Sequence, residues 1–313
     1  MKFLLVVLIF FMLNNFNINI FDISLEDDSF HSELPLHIET WYFEAIFESN
    51  ESIVFMITFL SNGNDGIFMT GVHFYENGEI VYEKRKIHNS FFVSDEIPYI
   101  VAEGEEIVSG FLEKGKICYN ISFSTDLFSF SLFYENTTKG WKTSNNEWLA
   151  IPNMKVKGKF KFKNEEKNVT GKGYHDHNIF FLSNPFTRRG YMDGKIMAEN
   201  LSIVWAKLMK NFFTQENFLI FSEKKYNLIE NANIKCFDYE MRNGRFIPTS
   251  FIISASYENL SINLTLHTIS THFIRLPLIH YWRYHIHAIG EIKKKGNKVR
   301  IDTFDIMEYM LFT

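Results

Sequence analysis

The sequence predicts an all-β protein made of two consecutive β-sandwich or β-barrel units. Short apolar and aromatic runs alternate with turn residues along most of the chain, at the spacing typical of hairpins in such folds. A length of 313 residues corresponds to about two domains at roughly 150 residues each. Strand alternation is also clean in places, because Lys155–Lys163 places five lysines on one side and Val156 with Phe160 on the other.

Hairpin signals define the first half of the chain. Ser52–Leu60 and Ile67–Tyr75 are apolar runs separated by a turn rich in Asn and Gly. After the second run, Asn77-Gly78 predicts a type I′ turn, since both central residues of that turn need positive φ. The segment Ile121–Tyr134 has the same strand character.

The second half continues this pattern. Its predicted strand regions are Ser250–Ser256, Leu260–His267, Tyr281–Ile292 and Lys298–Met310. Met192–Phe213 offers a weak helical alternative, which Gly194 and its β-branched neighbours disfavour.

Composition excludes several classes of protein. A chain that is 46% hydrophobic and 22% charged is a folded globular protein. The net charge of -5 argues against nucleic acid as a partner, because phosphate binding needs a surplus of Lys and Arg. The two cysteines, Cys118 and Cys236, form neither a disulfide framework nor a Cys-rich zinc site. We expect two buried free thiols, with a single disulfide as the alternative.

The N-terminus resembles a secretory signal. Lys2 precedes the apolar run Phe3–Leu13, which is shorter than the roughly 20 residues of a membrane span. A small-x-small cleavage site is missing, so a first buried strand or an uncleaved anchor is the alternative. We expect residues 1–22 to be a signal peptide or membrane-proximal segment. The expected location is secreted or membrane-associated, and otherwise cytoplasmic.

The segment Gly171–Asn178 contains the most informative polar residues. As a strand, it places Tyr174, Asp176 and Asn178 on one face and His175 and His177 on the other. Polar groups buried there must be paired, and a buried carboxyl would have a raised pKa. The segment therefore predicts a functional site, and the alternative is a paired structural network near a strand end.

Two other clusters supply candidate pocket residues. They are Glu39, Trp41 and Tyr42 in the first half and Trp282, Tyr284 and His285 in the second. In the later cluster, strand alternation separates Trp282 and Tyr284 from Arg283 and His285.

The paired histidines allow a metal-binding alternative. His175 with His177, and His285 with His287, each place two imidazoles about 7 Å apart on one strand face. Four histidines could hold Zn or Fe. Because His-x-His is short and frequent by chance, we predict no metal and no organic cofactor.

The segment Gly171–Asn178, together with Asp27–His31 and Glu39–Tyr42, resembles the carotenoid 1,2-hydratase (hydroxyneurosporene synthase) family. That family includes the AttH-like proteins and fungal decalin-forming pericyclases. Trp282–His285 and Ile306–Met310 are similar to its C-terminal pattern, so the resemblance runs from about residue 24 to the end.

Two departures leave the particular substrate open. The family usually continues the octet with Trp-Gly, where this chain has Ile179-Phe180. Many members have a Trp pair where this chain has Trp41 alone.

The resemblance implies two consecutive lipocalin-like β-domains, here residues 23–180 and 181–313, with a ligand pocket in or between them. It also implies that a Tyr-x-Asp pair and an upstream Trp are catalytic. The pair maps onto Tyr174 and Asp176, and spacing maps the tryptophan onto Trp148.

The expected activity is that of a hydro-lyase-type hydratase that adds water to an isolated C=C bond of an apolar isoprenoid or lipid. A protonated Asp176 would be the general acid, and Tyr174 and Trp148 would shape or stabilise the cation. His175 or His177 would tune Asp176, and Asn178 would support the pocket. The alternatives are a non-catalytic carrier of a lipid or isoprenoid, and a pericyclase or isomerase on the same scaffold.

Overall fold

The structure is a computed structural model that describes residues 18–181, 188–210, 214–230, 232–276 and 279–312. These residues form 22 β-strands in two antiparallel sheets, and the helical structure among them is one 3₁₀ turn at Glu26–Asp28. The prediction of an all-β, two-unit fold is confirmed. The described part of the chain holds no helix of the length and apolarity that a membrane span requires.

The first sheet contains thirteen strands and is nearly closed into a barrel. Its strands are β1 Ile20–Phe21, β2 His37–Phe47, β3 Glu51–Asn62, β4 Asp65–Glu76, β5 Glu79–His88, β6 Phe91–Val93, β7 Tyr99–Ala102, β8 Glu105–Glu113, β9 Lys116–Ser124, β10 Phe128–Asn136, β11 Trp141–Thr143, β12 Trp148–Phe162 and β13 Glu165–Phe181. The order is β5-β4-β3-β2-β13-β12-β10-β9-β8-β7-β6, with β11 bridging β1 and β12. β13 therefore lies between β2 and β12, away from the sheet edges.

The second sheet contains nine strands in the form of a half-barrel. Its strands are β14 Gly190–Ala198, β15 Leu201–Met209, β16 Gln215–Ser222, β17 Tyr226–Glu230, β18 Asn233–Arg242, β19 Arg245–Tyr257, β20 Leu260–Leu276, β21 Ile279–Lys294 and β22 Asn297–Phe312. The order is β17-β16-β15-β14-β22-β21-β20-β19-β18. The last strand of the chain thus pairs with the first strand of this sheet.

Local sequence explains the hairpins. Asn77 and Gly78 have φ of 52° and 83°, as the type I′ turn between β4 and β5 requires, which confirms that prediction. The region Ile121–Tyr134 is divided between β9 and β10. The helical alternative for Met192–Phe213 is wrong over its described part, which forms β14 and β15. Here the β-branched residues and cross-strand pairing prevail over any helical periodicity.

Buried apolar side chains form one core inside each sheet and a third between the two sheets. The third core takes residues such as Tyr42 and Tyr174 from the first sheet and Met197 and Ile306 from the second. The sheets are therefore joined by apolar packing, and the polar residues of β13 lie beside this joint.

Two further predictions concern the cysteines and the N-terminus. Cys118 and Cys236 are both free and belong to different sheets, as predicted. Cys118 is buried as expected, but Cys236 is only partly buried, against the core of the second sheet. The expected signal segment falls mostly on residues 1–17, which lie outside the described residues, so the secreted or membrane-associated location stays a prediction.

Close packing around Gly173 yields a test of the fold. A Cβ at this position would lie 2.5 Å from Val156 Cγ2 and 2.8 Å from the Glu44 carbonyl oxygen. We expect Gly173→Ala to lower the free energy of unfolding by about 1 to 3 kcal/mol, as overpacking does, in urea denaturation. The control is Gly71→Ala, because a Cβ at position 71 would lie 3.8 Å from its nearest atom. We expect this substitution to raise the free energy of unfolding by no more than about 1 kcal/mol. Equal effects of the two substitutions would contradict this packing.

Candidate functional site

A cavity of about 760 Å³ lies between the two sheets. Its wall is mostly apolar and aromatic, with rings that include Trp148, Tyr191, Phe218 and Tyr281. Four carboxyl side chains also line it, namely Glu147, Asp176, Asp193 and Glu308. A cavity of this size and character suits a small, largely apolar molecule.

Strand alternation in β13 directs Asp176 to this cavity. Tyr174, Asp176 and Asn178 face the second sheet, while His175 and His177 face the interior of the first, as the sequence predicts. Asp176 is paired with Ala150 of β12 and Tyr42 of β2 on either side.

Asp176 is almost fully buried, with 6% of its surface exposed, and both of its oxygens are hydrogen-bonded. The Tyr174 hydroxyl donates to Oδ2 at 2.8 Å, and the Asn178 amide donates to Oδ1 at 2.8 Å. Burial raises the pKa of Asp176 to about 6, against the opposing effect of the Tyr174 hydrogen bond, and the negative charge of Glu308 adds to the increase. The side chain can therefore hold a proton in slightly acidic conditions.

Asp193 and Glu308 come from the second sheet, where they are directly paired across β14 and β22. Burial raises the pKa of Asp193 well above its usual value, and the charges of Glu308 and Asp176 act in the same direction. Asp193 Oδ1 has no hydrogen-bond partner among the described residues. Sequence reasoning missed both acids, although Glu308 lies in the segment that carried the C-terminal resemblance.

Arg283 holds Glu308 in place. Its guanidinium is fully buried, and Nε donates to Glu308 Oε1 at 2.9 Å. The same group donates to the hydroxyls of Tyr281 and Tyr75, both at 3.0 Å. Since Tyr75 belongs to the first sheet, Arg283 links the two sheets beside the cavity.

A second buried cation supports Tyr174. Lys195 lies 4.5 Å from the ring centroid of Tyr174 and 5.2 Å from that of Tyr42, and it ion-pairs with Glu44. The Tyr42 hydroxyl donates to Glu44 at 2.9 Å. Tyr42 thus lies behind Tyr174 in the joint between the sheets, and neither is among the residues that line the cavity.

Trp148 lines the same cavity as Asp176, and the catalytic role that the resemblance implies for it stays a prediction. It is paired with Asn178 across β12 and β13. Its ring packs edge-to-face against Trp141, with 5.0 Å between centroids, and against Phe218 of the second sheet at 6.0 Å.

His175 and His177 hydrogen-bond to carboxylates other than Asp176, and His175 acts on Asp176 through its charge, which lowers the pKa of Asp176. His175 stacks on Phe43 at 4.0 Å, and its Nε2 donates to Asp28 Oδ2 at 2.9 Å. His177 donates from Nε2 to Glu39 Oε2 at 2.7 Å. The two histidines face away from Asp176 because neighbouring residues of a strand alternate.

These charged partners shift each other's ionisation. Burial opposes ionisation of Asp28 and Glu39, but their histidine partners hold the pKa of both carboxyls well below the usual range. The same carboxylates outweigh burial at His177 and raise its pKa to about 9.

The other residues predicted to line the pocket lie in three different places. Trp41 and Glu39 lie inside the first barrel, where Trp41 stacks on His177 at 4.4 Å. Trp282 and Tyr284 belong to the core of the second sheet. His285 lies between the sheets, where it shares a 2.9 Å hydrogen bond with Ser52. None of these five lines the cavity.

The four-histidine metal alternative is wrong. His175 and His177 lie in the first barrel, His285 lies between the sheets, and His287 is 35% exposed beside Asp302. Four side chains in such separate surroundings cannot share one ion.

Comparison with known proteins shows the fold. No protein-family model and no curated protein matches the chain. Among solved structures, a protein assigned as AttH from Nitrosomonas europaea matches with a TM-score of 0.66 and 12% identity, over 92% of this chain and 96% of that one. Kievitone hydratase from Nectria haematococca matches with a TM-score of 0.64 and 11% identity, over 96% and 95%. CghA with Sch210972 matches with a TM-score of 0.58 and 10% identity, over 89% of each chain.

The raised pKa of Asp176 predicts a pH-dependent cost to stability. The pKa of Asp176 is about 6 in the folded chain, above the value of about 3.9 for an aspartate in water, so the contribution of its protonated form to stability is full below about pH 4 and is lost as pH rises through 6. Asparagine cannot ionise, so we expect Asp176→Asn to gain about 1 to 3 kcal/mol relative to the native chain between pH 4 and pH 7.5.

Urea unfolding at both pH values measures this difference. The exposed Asp302→Asn is the control, and its effect should not change with pH by a comparable amount. A pH-independent difference for Asp176→Asn would show that its carboxyl ionises as it does in water.

Proposed function

We propose that the protein is a hydratase that adds water to an isolated C=C bond of an apolar isoprenoid or lipid. The observation that carries this proposal is a buried carboxyl, Asp176, with a pKa raised to about 6 at the wall of an aromatic-lined cavity. The fold likeness to kievitone hydratase and to the AttH protein supports a hydratase-like scaffold. The substrate class and the reaction are proposed here from the chemistry of the cavity.

The chemistry needs an acid in a dry site. An isolated C=C bond is a poor base, so its protonation requires a carboxylic acid that water does not ionise. Asp176 gives its proton to one carbon, the π electrons form that C–H bond, and the other carbon becomes a carbocation. Water then bonds to the cation through oxygen and returns a proton to the Asp176 carboxylate, which restores the acid.

The cavity wall suits this cation. Trp148, Tyr191 and Tyr281 present aromatic rings to the same space as Asp176. Each ring face can stabilise a desolvated cation by about 0.5 to 2 kcal/mol. Tyr174 holds the Oδ2 atom of Asp176 and thereby orients the acid.

Among the four acids, Asp176 suits the proton transfer best. Glu147 is paired with Arg188 and Glu308 with Arg283, and the charge of Glu308 favours protonation of both aspartates. We assign Asp193 the role of a neighbour that favours the neutral form, because burial and the charges of Glu308 and Asp176 raise its pKa well above the usual value. A carrier that binds the same ligand without reaction is the alternative, since the cavity could hold a ligand without an acid.

Replacement of the acid tests catalysis apart from binding. The ligand that co-purifies with the native chain is extracted and identified by mass spectrometry. The native chain is then tested for conversion of this ligand to a product heavier by one water. We expect Asp176→Asn to lower kcat by about 100-fold to 10,000-fold and to keep ligand affinity within a few-fold. Asp302→Asn, at the exposed surface, should leave both unchanged.

Each result bears on one function. Hydration at the native rate by Asp176→Asn would rule out the assigned acid. Tight binding with no product from the native chain would favour the carrier. Product formation without a gain of water would favour a pericyclase or isomerase.

The pH profile tests the protonated state. Because the acid must carry its proton, we expect kcat/KM to fall as pH rises through about 6. Glu308→Gln removes the neighbouring negative charge and leaves Arg283 unpaired, so the fall in kcat/KM should occur at lower pH. The mechanism would be contradicted by a kcat/KM that is constant between pH 5 and 8, or by a fall that occurs at higher pH in Glu308→Gln.

A further inference from the structure

A second polar cluster lies inside the first barrel, on the opposite face of β13 from Asp176. Its members are Asp28, His31, His37, Glu39, His175 and His177. They come from the 3₁₀ turn, the segment that follows it, β2 and β13. None of the six lines the cavity, so the proposed hydration leaves this cluster without a role.

Three of these residues converge on one point. One ligand atom each from His31, Glu39 and His177 lies within 4.8 Å of the other two. His31 Nδ1 is 3.4 Å from Glu39 Oε1, and His177 Nε2 is 2.7 Å from Glu39 Oε2. Two imidazoles and one carboxylate are a common set of protein ligands for Zn²⁺, with water as the fourth ligand.

The surrounding contacts orient these ligands as metal sites usually require. Asp28 Oδ1 lies 3.3 Å from His177 Nδ1, so the ring has a carboxylate on the side away from Glu39. Glu39 Oε1 accepts from His37 Nε2 at 2.8 Å and from the His31 backbone at 2.9 Å. A carboxylate behind a ligating histidine, and hydrogen bonds to a ligating carboxylate, are the usual outer shell of a zinc site.

Two buried atoms of the cluster lack hydrogen bonds. His31 Nδ1 and Asp28 Oδ1 have no hydrogen-bond partner among the described residues, and Asp28 is only 1% exposed. A buried polar atom without a partner is unfavourable. A cation bound to His31 Nδ1 and His177 Nε2 would satisfy the first atom directly, and would strengthen the interaction of His177 Nδ1 with the second.

We propose that His31, Glu39 and His177 bind one divalent first-row metal ion, with Zn²⁺ as the best fit to this ligand set. On binding, the Nε2–H bond of His177 breaks, its proton passes to solvent, and a metal–nitrogen bond forms in its place. His31 is 17% exposed and provides the route from solvent. The bound ion would connect the segment before β2 to β13.

Metal binding to the full chain without a His-tag tests this site. After chelator treatment and dialysis, the chain is titrated with Zn²⁺ by calorimetry and with Co²⁺ by visible absorption. We expect one equivalent of Zn²⁺ with a Kd below about 1 μM and a higher Tm in its presence. His31→Gln should weaken binding at least tenfold and abolish the Tm increase, because it removes a ligand whose Nδ1 makes no hydrogen bond.

His287→Gln is the matched control, since this histidine also neighbours a carboxylate but lies at the surface. It should leave the Kd unchanged. Failure of both Zn²⁺ and Co²⁺ to bind saturably, or equal binding by His31→Gln and His287→Gln, would overturn the proposal. If His31→Gln does not fold, X-ray absorption of the Zn²⁺-loaded native chain decides: two imidazole ligands support the site, and any other number overturns it.

Discussion

The ion pair between Arg283 and Glu308 is the interaction on which the cavity depends. Both charges are enclosed where the sheets meet, and the guanidinium reaches Tyr75 of the first sheet as well as Tyr281 of the second. A buried charge is costly unless it is paired and fully hydrogen-bonded, so each of these groups constrains the others. The pair also places a fixed negative charge at the cavity wall, and this charge favours protonated neighbours there.

The two faces of β13 place carboxylates in opposite electrostatic surroundings. On the face toward the cavity, Asp176 accepts from neutral donors and its pKa is raised. On the other face, His175 and His177 stabilise the ionised forms of Asp28 and Glu39. Burial is common to both faces, so the sign of each shift is decided by whether a cation is within hydrogen-bond distance.

Much of the fold could be predicted from sequence, because hairpin turns and period-two alternation are local properties. The Asn77-Gly78 turn and the two faces of β13 are examples. Trp148 became a candidate only through the family resemblance, which implies an upstream tryptophan, and it lines the cavity with Asp176. Asp193 could not be found in this way. Its importance arises from how the second sheet packs against the first, and no local pattern encodes that contact.

The raised pKa of Asp176 depends on both sheets of the chain. Asp176 belongs to the first sheet, but Glu308, whose charge raises its pKa, belongs to the second, as does the Phe218 ring that packs against Trp148. Without the second sheet, the Asp176 face of β13 would be open to water, and the desolvation that raises its pKa would be lost. The joining of two sheets, each with its own apolar core, therefore creates a chemical environment that neither sheet has alone.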